Sequence, residues 1–323
     1  MNLGLLAIFA GGAVVIAMVA WFGASSIGVE VLDAAWVVPI TTVLLGFQLY
    51  FSAIAWRISM DVRAPSVSRF LRIRWIREGV NSLLPVAQLG GNLVGIRLLV
   101  QRGVGGVLAA AGTVLDLTIE ALTQFLFTLA GFVVLAAIDA ERSWAPWVGG
   151  VLLSGALGIG GFILAQRIGL MRLVEVAADK LAGMFPALAF GSAEGLHQEL
   201  LRLQKKPAAL LQASALHLLA WGLGTIEVWL ALSAMGQQPS IAEAFVIESL
   251  GMAARSAGFA VPGALGVQEG GLILVCGLFG VSPDLAIALS MIKRLRELVV
   301  GIPALIAWQL SEGKRILRRR RQN

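Results

Sequence analysis

The sequence predicts an all-α polytopic integral membrane protein: one transmembrane domain over residues 1–323, with about six spanning helices and two re-entrant helical hairpins arranged as an inverted repeat. Three observations carry this expectation. The chain is far too apolar for a water-soluble fold, its basic residues are concentrated in alternate loops, on one side of the apolar stretches, and a Pro/Gly break occurs twice in the same context. Hydrophobic residues make up 58% of the 323 and charged residues 14%, against about 25% charged in ordinary globular domains. A folded interior of this size cannot hide that much apolar surface, so lipid is the expected solvent. The 38 glycines suit close helix packing in a bilayer. The single cysteine, Cys276, excludes an intrachain disulfide and a multi-cysteine metal site.

A spanning helix needs about 20 apolar residues. Six stretches qualify, at about 3–24, 36–56, 108–138, 147–166, 208–234 and 285–310. The first lacks a basic leader and reads as a retained anchor. Loop 57–81, segment 167–207 and the tail 312–323 together hold eighteen Lys and Arg, and the opposite loops hold only Arg142. This bias predicts a bacterial inner-membrane protein with both termini cytoplasmic. It also accounts for the net charge of +6 without nucleic acid. Segment 168–206 mixes charge with apolar residues at helical spacing and reads as one or two amphipathic helices on the cytoplasmic face. His197 within it reads as a surface residue.

Residues 66–138 and 242–310 fall into register at an offset of 177. Pro85 then meets Pro262, Gly103 meets Gly280, and Glu120 meets Glu297. Each copy has an amphipathic lead, a break, a short apolar half-helix, Gly-Val, and a long helix carrying polar residues. The first copy starts from the basic side and the second from the opposite side, which is the pattern of inverted-repeat transporters. The broken segments are too irregular to face lipid, because their freed backbone groups would lack partners.

Chemistry is expected at these breaks and on the long helices. In the first break Asn81, Pro85, Gln88, Gly90, Gly91 and Asn92 combine helix breakers with polar side chains. In the second, Pro262, Gly266, Gln268 and Glu269 do so. Each break exposes a half-helix N-terminus, whose unpaired N–H groups favour anionic or hydroxylated groups. Asp116 and Glu120 share a face of the third span, as do Lys293, Arg294 and Glu297 on the last. Glu248 and Arg255 lie two turns apart. Ionisable groups inside a membrane are costly and face a cavity or a partner. Asp116 and Lys293 are repeat-equivalents of opposite sign, so they are expected to face each other across the cavity, directly or through Arg294 and Glu120, either as structural cement or as part of a substrate path. His217, alone on an apolar span, reads as a packed core residue. No catalytic motif, metal site or cofactor signature is present, so neither enzymatic activity nor a cofactor is expected.

The motifs REGVNSLLPVAQLGGNLVGIRLL and VPGALGVQEGG…ALSMIKRLREL resemble the lysylphosphatidylglycerol-synthase transmembrane, or flippase-like, superfamily. Within it, DLTIEALTQFLFTLAG resembles the hopanoid-biosynthesis-associated membrane proteins called HpnL. The resemblance runs over nearly the whole chain. It implies a lipid-translocating domain, and for the subgroup the movement of hopanoids or related lipids. Relatives often carry an acidic residue after the first Gly-Gly, where this chain has Asn92.

The function expected is therefore a lipid transporter or flippase whose cavity lies between the two hairpins. A transporter for a small polar solute and a non-catalytic scaffold for lipid-synthesis enzymes are the rival readings. Membrane lipids are the expected partners, with a homo-oligomer and lipid-synthesis or lipid-export proteins open alongside.

Overall fold

The computed structural model describes residues 24–62, 65–84, 90–138, 193–259 and 261–320, with a few isolated positions at 16–20 and 150–164. Ten α-helices and no strand occur among the described residues. They are α1 (Ala24–Asp33), α2 (Val37–Ser59), α3 (Val67–Leu83), α4 (Gly90–Val100), α5 (Gly106–Ile138), α6 (Ala193–Gln204), α7 (Pro207–Ala234), α8 (Ile241–Ala257), α9 (Val267–Gly277) and α10 (Pro283–Arg320). The expected spans at 3–24 and 147–166 lie almost wholly outside the described residues, as does most of segment 168–206.

Among the described residues three helices, α2, α5 and α7, are long and apolar enough to cross a membrane. At 1.5 Å per residue, the 33 residues of α5 reach about 50 Å, well beyond a hydrocarbon core of about 30 Å. The last helix runs on past the expected boundary to Arg320, 38 residues in all, with Pro303 inside it. By contrast α4 and α9 have 11 residues each, about 16 Å, or half the hydrocarbon thickness.

Local chemistry sets these boundaries. Pro207 opens α7 at a position where its missing N–H costs nothing. A capping box opens α8: Ser240 Oγ accepts from the Glu243 N–H at 3.2 Å, and Glu243 Oε2 accepts from the Ser240 N–H at 2.7 Å. Between α8 and α9 the chain makes a 3₁₀ turn over Pro262–Ala264. Gly263 there has φ 62° and Gly266 has φ 81°, backbone that side chains with a Cβ adopt at a cost.

The packing follows one scheme. α3 lies against α4 and α10, α8 lies against α9 and α5, and α2 packs along α7. The core divides into two apolar clusters. One holds Trp56, Phe70, Leu99 and Leu115, and the other Val228, Ile247, Leu272 and Ile287. Along α5, Leu115 and Ile119 join the first cluster and Leu135 the second. Along α7, Ala213 joins the first and Val228 the second. Along α10, Ile292 joins the second, while Leu305 and Trp308 pack on the first. Charged residues occupy the interval between the clusters on all three helices. The exterior is apolar instead: Val43, Phe47, Leu126, Val133, Ile302 and Ile306 are all exposed, as expected of surface solvated by lipid.

The described part of the amphipathic segment, α6, buries Leu196, Leu200 and Leu203 in the first cluster. Its apolar face therefore packs on protein.

Candidate functional site

Between the two apolar clusters lies a cavity of about 320 Å³ bordered by residues of α2, α3, α4, α5, α7, α8, α9 and α10. Its wall sets charged and polar side chains among apolar ones such as Leu45, Leu49, Leu117 and Leu272, in a molecule whose outer surface is greasy.

Two groups of ion pairs build the wall. The first joins α3 to α5. Arg74 donates to Asp116 Oδ2 at 3.0 Å and to Glu120 Oε1 at 2.6 Å. Arg77 donates to the same Asp116 oxygen at 2.8 Å and to Glu120 Oε2 at 3.0 Å. Spacings of three on α3 and four on α5 put each pair on one helix face, so two guanidinium forks meet two carboxylates. Arg77 also stacks over Trp56, 5.4 Å from the ring centre. The free oxygen of Asp116, Oδ1, lies 3.1 Å from His217 Nε2 on α7. Asp116 is 0% exposed and the two arginines 4% and 3%.

The second group joins α10 to α7 and α8. Lys293 Nζ donates to Glu248 Oε2 at 2.7 Å and lies 3.6 Å from Glu227 Oε2, which Arg296 also meets. Beside it Arg255 donates to Glu297 at 2.6 Å and to Gln268.

The expected pair of Asp116 with Lys293 does not form. Each charge is satisfied by a neighbouring helix: Asp116 by Arg74, Arg77 and His217, and Lys293 by Glu248 and Glu227. The reason is local. α3 and α8 bring opposite charges to the long helices first, and a buried charge takes the nearest partner that removes its desolvation cost.

The two half-helices are tied in by their own tips. Gly91 N–H donates to Asn81 Oδ1 at 2.8 Å, fastening the start of α4 to the end of α3. Glu269 accepts from the Gly266 N–H at 2.8 Å through Oε2. Its other oxygen accepts from Ser290 Oγ and from Arg294 Nε, both at 2.7 Å, fastening α9 to α10. Arg294 also donates to the Gly263 carbonyl at 3.2 Å. Glu269 and Arg294 thus hold the second break in shape from behind the wall.

The remaining site residues divide accordingly. Asn81, Asn92, Glu120, Glu248, Arg255, Gln268, Lys293 and Glu297 border the cavity. Asp116 lies behind Arg74 and Arg77. Gly90 opens α4 and Gly91 presses on α3, while Pro262 and Gly266 shape the second break. Pro85 and Gln88 lie outside the described residues.

A Cβ on Gly91 would collide with the Arg77 carbonyl and come within 2.5 Å of Asn81 Oδ1. The carbonyl belongs to the α3 backbone and cannot rotate away. Gly91→Ala is therefore expected to destabilise the protein by about 1–3 kcal/mol, the usual range for overpacking. Gly270→Ala, with open space around it, is the matched control and is expected to be silent. Unfolding in detergent micelles titrated with SDS measures both, and equal behaviour of the two variants would remove Gly91 from the tip contact.

The sequence profile described as lysylphosphatidylglycerol synthase TM region matches residues 8–304. The chain belongs to that family. No curated protein and no solved structure matches it. Membership makes this a membrane protein of a lipid-related, flippase-like family.

Several residues of this family member's cavity escape sequence reasoning. Arg74 and Arg77 read as topology charges in a loop, yet they lie buried on α3. Their spacing beside Ile73, Ile76 and Val80 is the signal of a helix whose cationic stripe faces inward. His217 reads as isolated because its partner stands 101 residues away on α5. Arg296 and Glu78 border the cavity as well.

Proposed function

We propose that this protein is a lipid transporter or flippase of the bacterial cytoplasmic membrane, moving hopanoid-type or related lipids between leaflets or out of the membrane. The headgroup enters the charged cavity while the tails stay in the bilayer. One observation carries this reading: a cavity walled by ion pairs lies midway along helices whose outer faces are apolar. Charge at that depth is expensive unless it serves a polar ligand or a partner.

In this reading α4 and α9 are the inner limbs of two re-entrant hairpins, and α3–α4–α5 and α8–α9–α10 are the two copies of an inverted repeat. The exchange of neighbours supports it, since the lead helix of each copy packs on the long helix of the other. Asn81, Asn92 and Gln268 supply neutral hydrogen bonds to a headgroup, and Arg77, Arg255 and Lys293 supply charge. Glu120, Glu248 and Glu297 keep those cations compensated when the cavity is empty.

The direct test is purification, identification of co-purifying lipids, and a leaflet-exchange assay in vesicles. Accelerated exchange of a lipid probe is expected. Uptake of a polar solute without lipid exchange would replace the lipid reading by the solute reading. Neither activity would leave the scaffold.

Topology has a separate test. The end of α2 and the start of α7 belong to one side, since Asp61 pairs with Lys206, and both flank basic segments. Cysteines placed at Val29 and at Asp61, in a Cys276→Ala background, are expected to label from opposite sides, Asp61 from the cytoplasm. Labelling of both from one side would refute the arrangement.

A further inference from the structure

We infer that Glu78 and the recess beside it bind one small cationic group of ammonium size, supplied by a lipid headgroup or by an inorganic cation from solution. The headgroup source rests on the transporter reading, to which the site adds a charge that the cargo brings.

The charges around the cavity pair off with one remainder. Among the described residues five cations border it: Arg74, Arg77, Arg255, Lys293 and Arg296. Arg74 and Arg77 meet Asp116 and Glu120. Lys293 and Arg296 meet Glu248 and Glu227, and Arg255 meets Glu297. Behind the wall Arg294 meets Glu269. Glu78 is left over. It borders the cavity, but no ion pair holds it among the described residues, and its side chain accepts one hydrogen bond, from Ser82 Oγ at 3.2 Å to Oε1. Arg74 and Arg255 feel its charge, yet both are already bound to other carboxylates. A carboxylate without its own cation is costly within a membrane and marks a place for a charged ligand.

The space beside Glu78 limits what that ligand can be. A recess of about 30 Å³ lies between α2, α3 and α10, and Glu78, Ser82, Arg296 and Glu297 border both it and the main cavity. That is room for one group the size of a water molecule or an ammonium. Three oxygen-bearing side chains meet there. Ser82 occupies Glu78 Oε1 and leaves Oε2, and Arg255 occupies Glu297 Oε1 and leaves Oε2. With the Ser82 hydroxyl these are acceptors for the N–H groups of a primary ammonium, or oxygen ligands for an alkali cation. Arg296, the cation on the rim, is matched by Glu227. The far wall is tight: a Cβ on Gly79 would lie 3.0 Å from the Gly301 carbonyl, where α3 meets α10. A quaternary ammonium, larger and without N–H donors, is excluded.

The experiment uses the full chain at about pH 8, above the ordinary imidazole value, so that a protonated histidine does not supply the balancing charge. Vesicles of phosphatidylglycerol are prepared in N-methylglucamine chloride, whose cation is too large for the recess. Tail-labelled phosphatidylethanolamine and phosphatidylglycerol are the trace probes. If the headgroup brings the cation, the ethanolamine probe is expected to exchange several-fold faster than the glycerol probe. If solution brings it, replacing N-methylglucamine by sodium or ammonium at constant ionic strength is expected to speed the glycerol probe several-fold. Glu78→Gln orphans no partner, so it is expected to fold and to lose whichever preference the wild type shows. Equal wild-type rates for both probes, with no response to sodium or ammonium, overturn the cation site and leave the transporter reading intact. So does a Glu78→Gln protein that keeps the preference. If no probe moves at all, the transporter reading falls and thermal unfolding in neutral detergent micelles decides the site. Sodium or ammonium in place of N-methylglucamine is then expected to raise the melting temperature of the wild type but not of Glu78→Gln. Equal wild-type melting in all three salts, together with absent exchange, overturns both readings.

Discussion

Replacement of Asp116 by Asn is expected to cost about 3–5 kcal/mol, the loss typical when one member of a buried ion pair is removed. The amide still fills the space, but Arg74 and Arg77 then share Glu120 alone, and His217 loses the carboxylate it faces. SDS titration of the purified protein in mixed micelles measures the loss. Combined with Lys293→Met, the two losses are expected to add, because Asp116 and Lys293 have no partner in common. Recovery of stability in the double variant would restore the cross-repeat pair that their matching positions suggest and would contradict the observed geometry.

Lys293→Met carries an effect of similar size on its own. It leaves the Glu248 carboxylate buried without its ammonium, while Glu227 keeps Arg296. Glu248→Gln in the same chain removes the orphaned charge, so the double variant is expected to regain about 1–3 kcal/mol relative to the sum of the singles. A double-mutant cycle with no such coupling would mean that Lys293 finds its compensation elsewhere.

These two experiments mark where the sequence was legible. The polar stripes on α5 and α10 could be read directly, because four-residue spacing on a long apolar helix leaves no alternative face for Asp116 with Glu120 or Lys293 with Glu297. The second helix break was legible too, because Pro262, Gly263 and Gly266 have conformational needs that hold in any context. Partner choice was not. Pairing depends on which helices touch, and the offset between repeats relates positions by symmetry, whereas contact is set by packing. Arg74 and Arg77 were obscured by their own neighbourhood: Arg69 and Arg72 are surface charges on the same helix, and the sequence alone does not separate the inward stripe from the outward one without knowing where α5 lies. His217 shows the limit most plainly, since nothing within its own helix distinguishes it from a packed imidazole.

The contact between α3 and α10 has a consequence for biosynthesis. Trp75 Nε1 donates to the Val300 carbonyl at 2.8 Å across 225 residues of sequence. At about 5–20 residues per second, translation delivers α10 on the order of ten to forty-five seconds after α3. Throughout that interval α3 would hold two arginines with its final neighbour absent. Asp116 and Glu120 emerge only 39–46 residues behind those arginines. The first ion-pair group can therefore close within seconds of synthesis and neutralise α3 long before α10 arrives. The acids that frame the cavity in the mature protein are thus within reach of the α3 arginines well before the last neighbour of that helix is made.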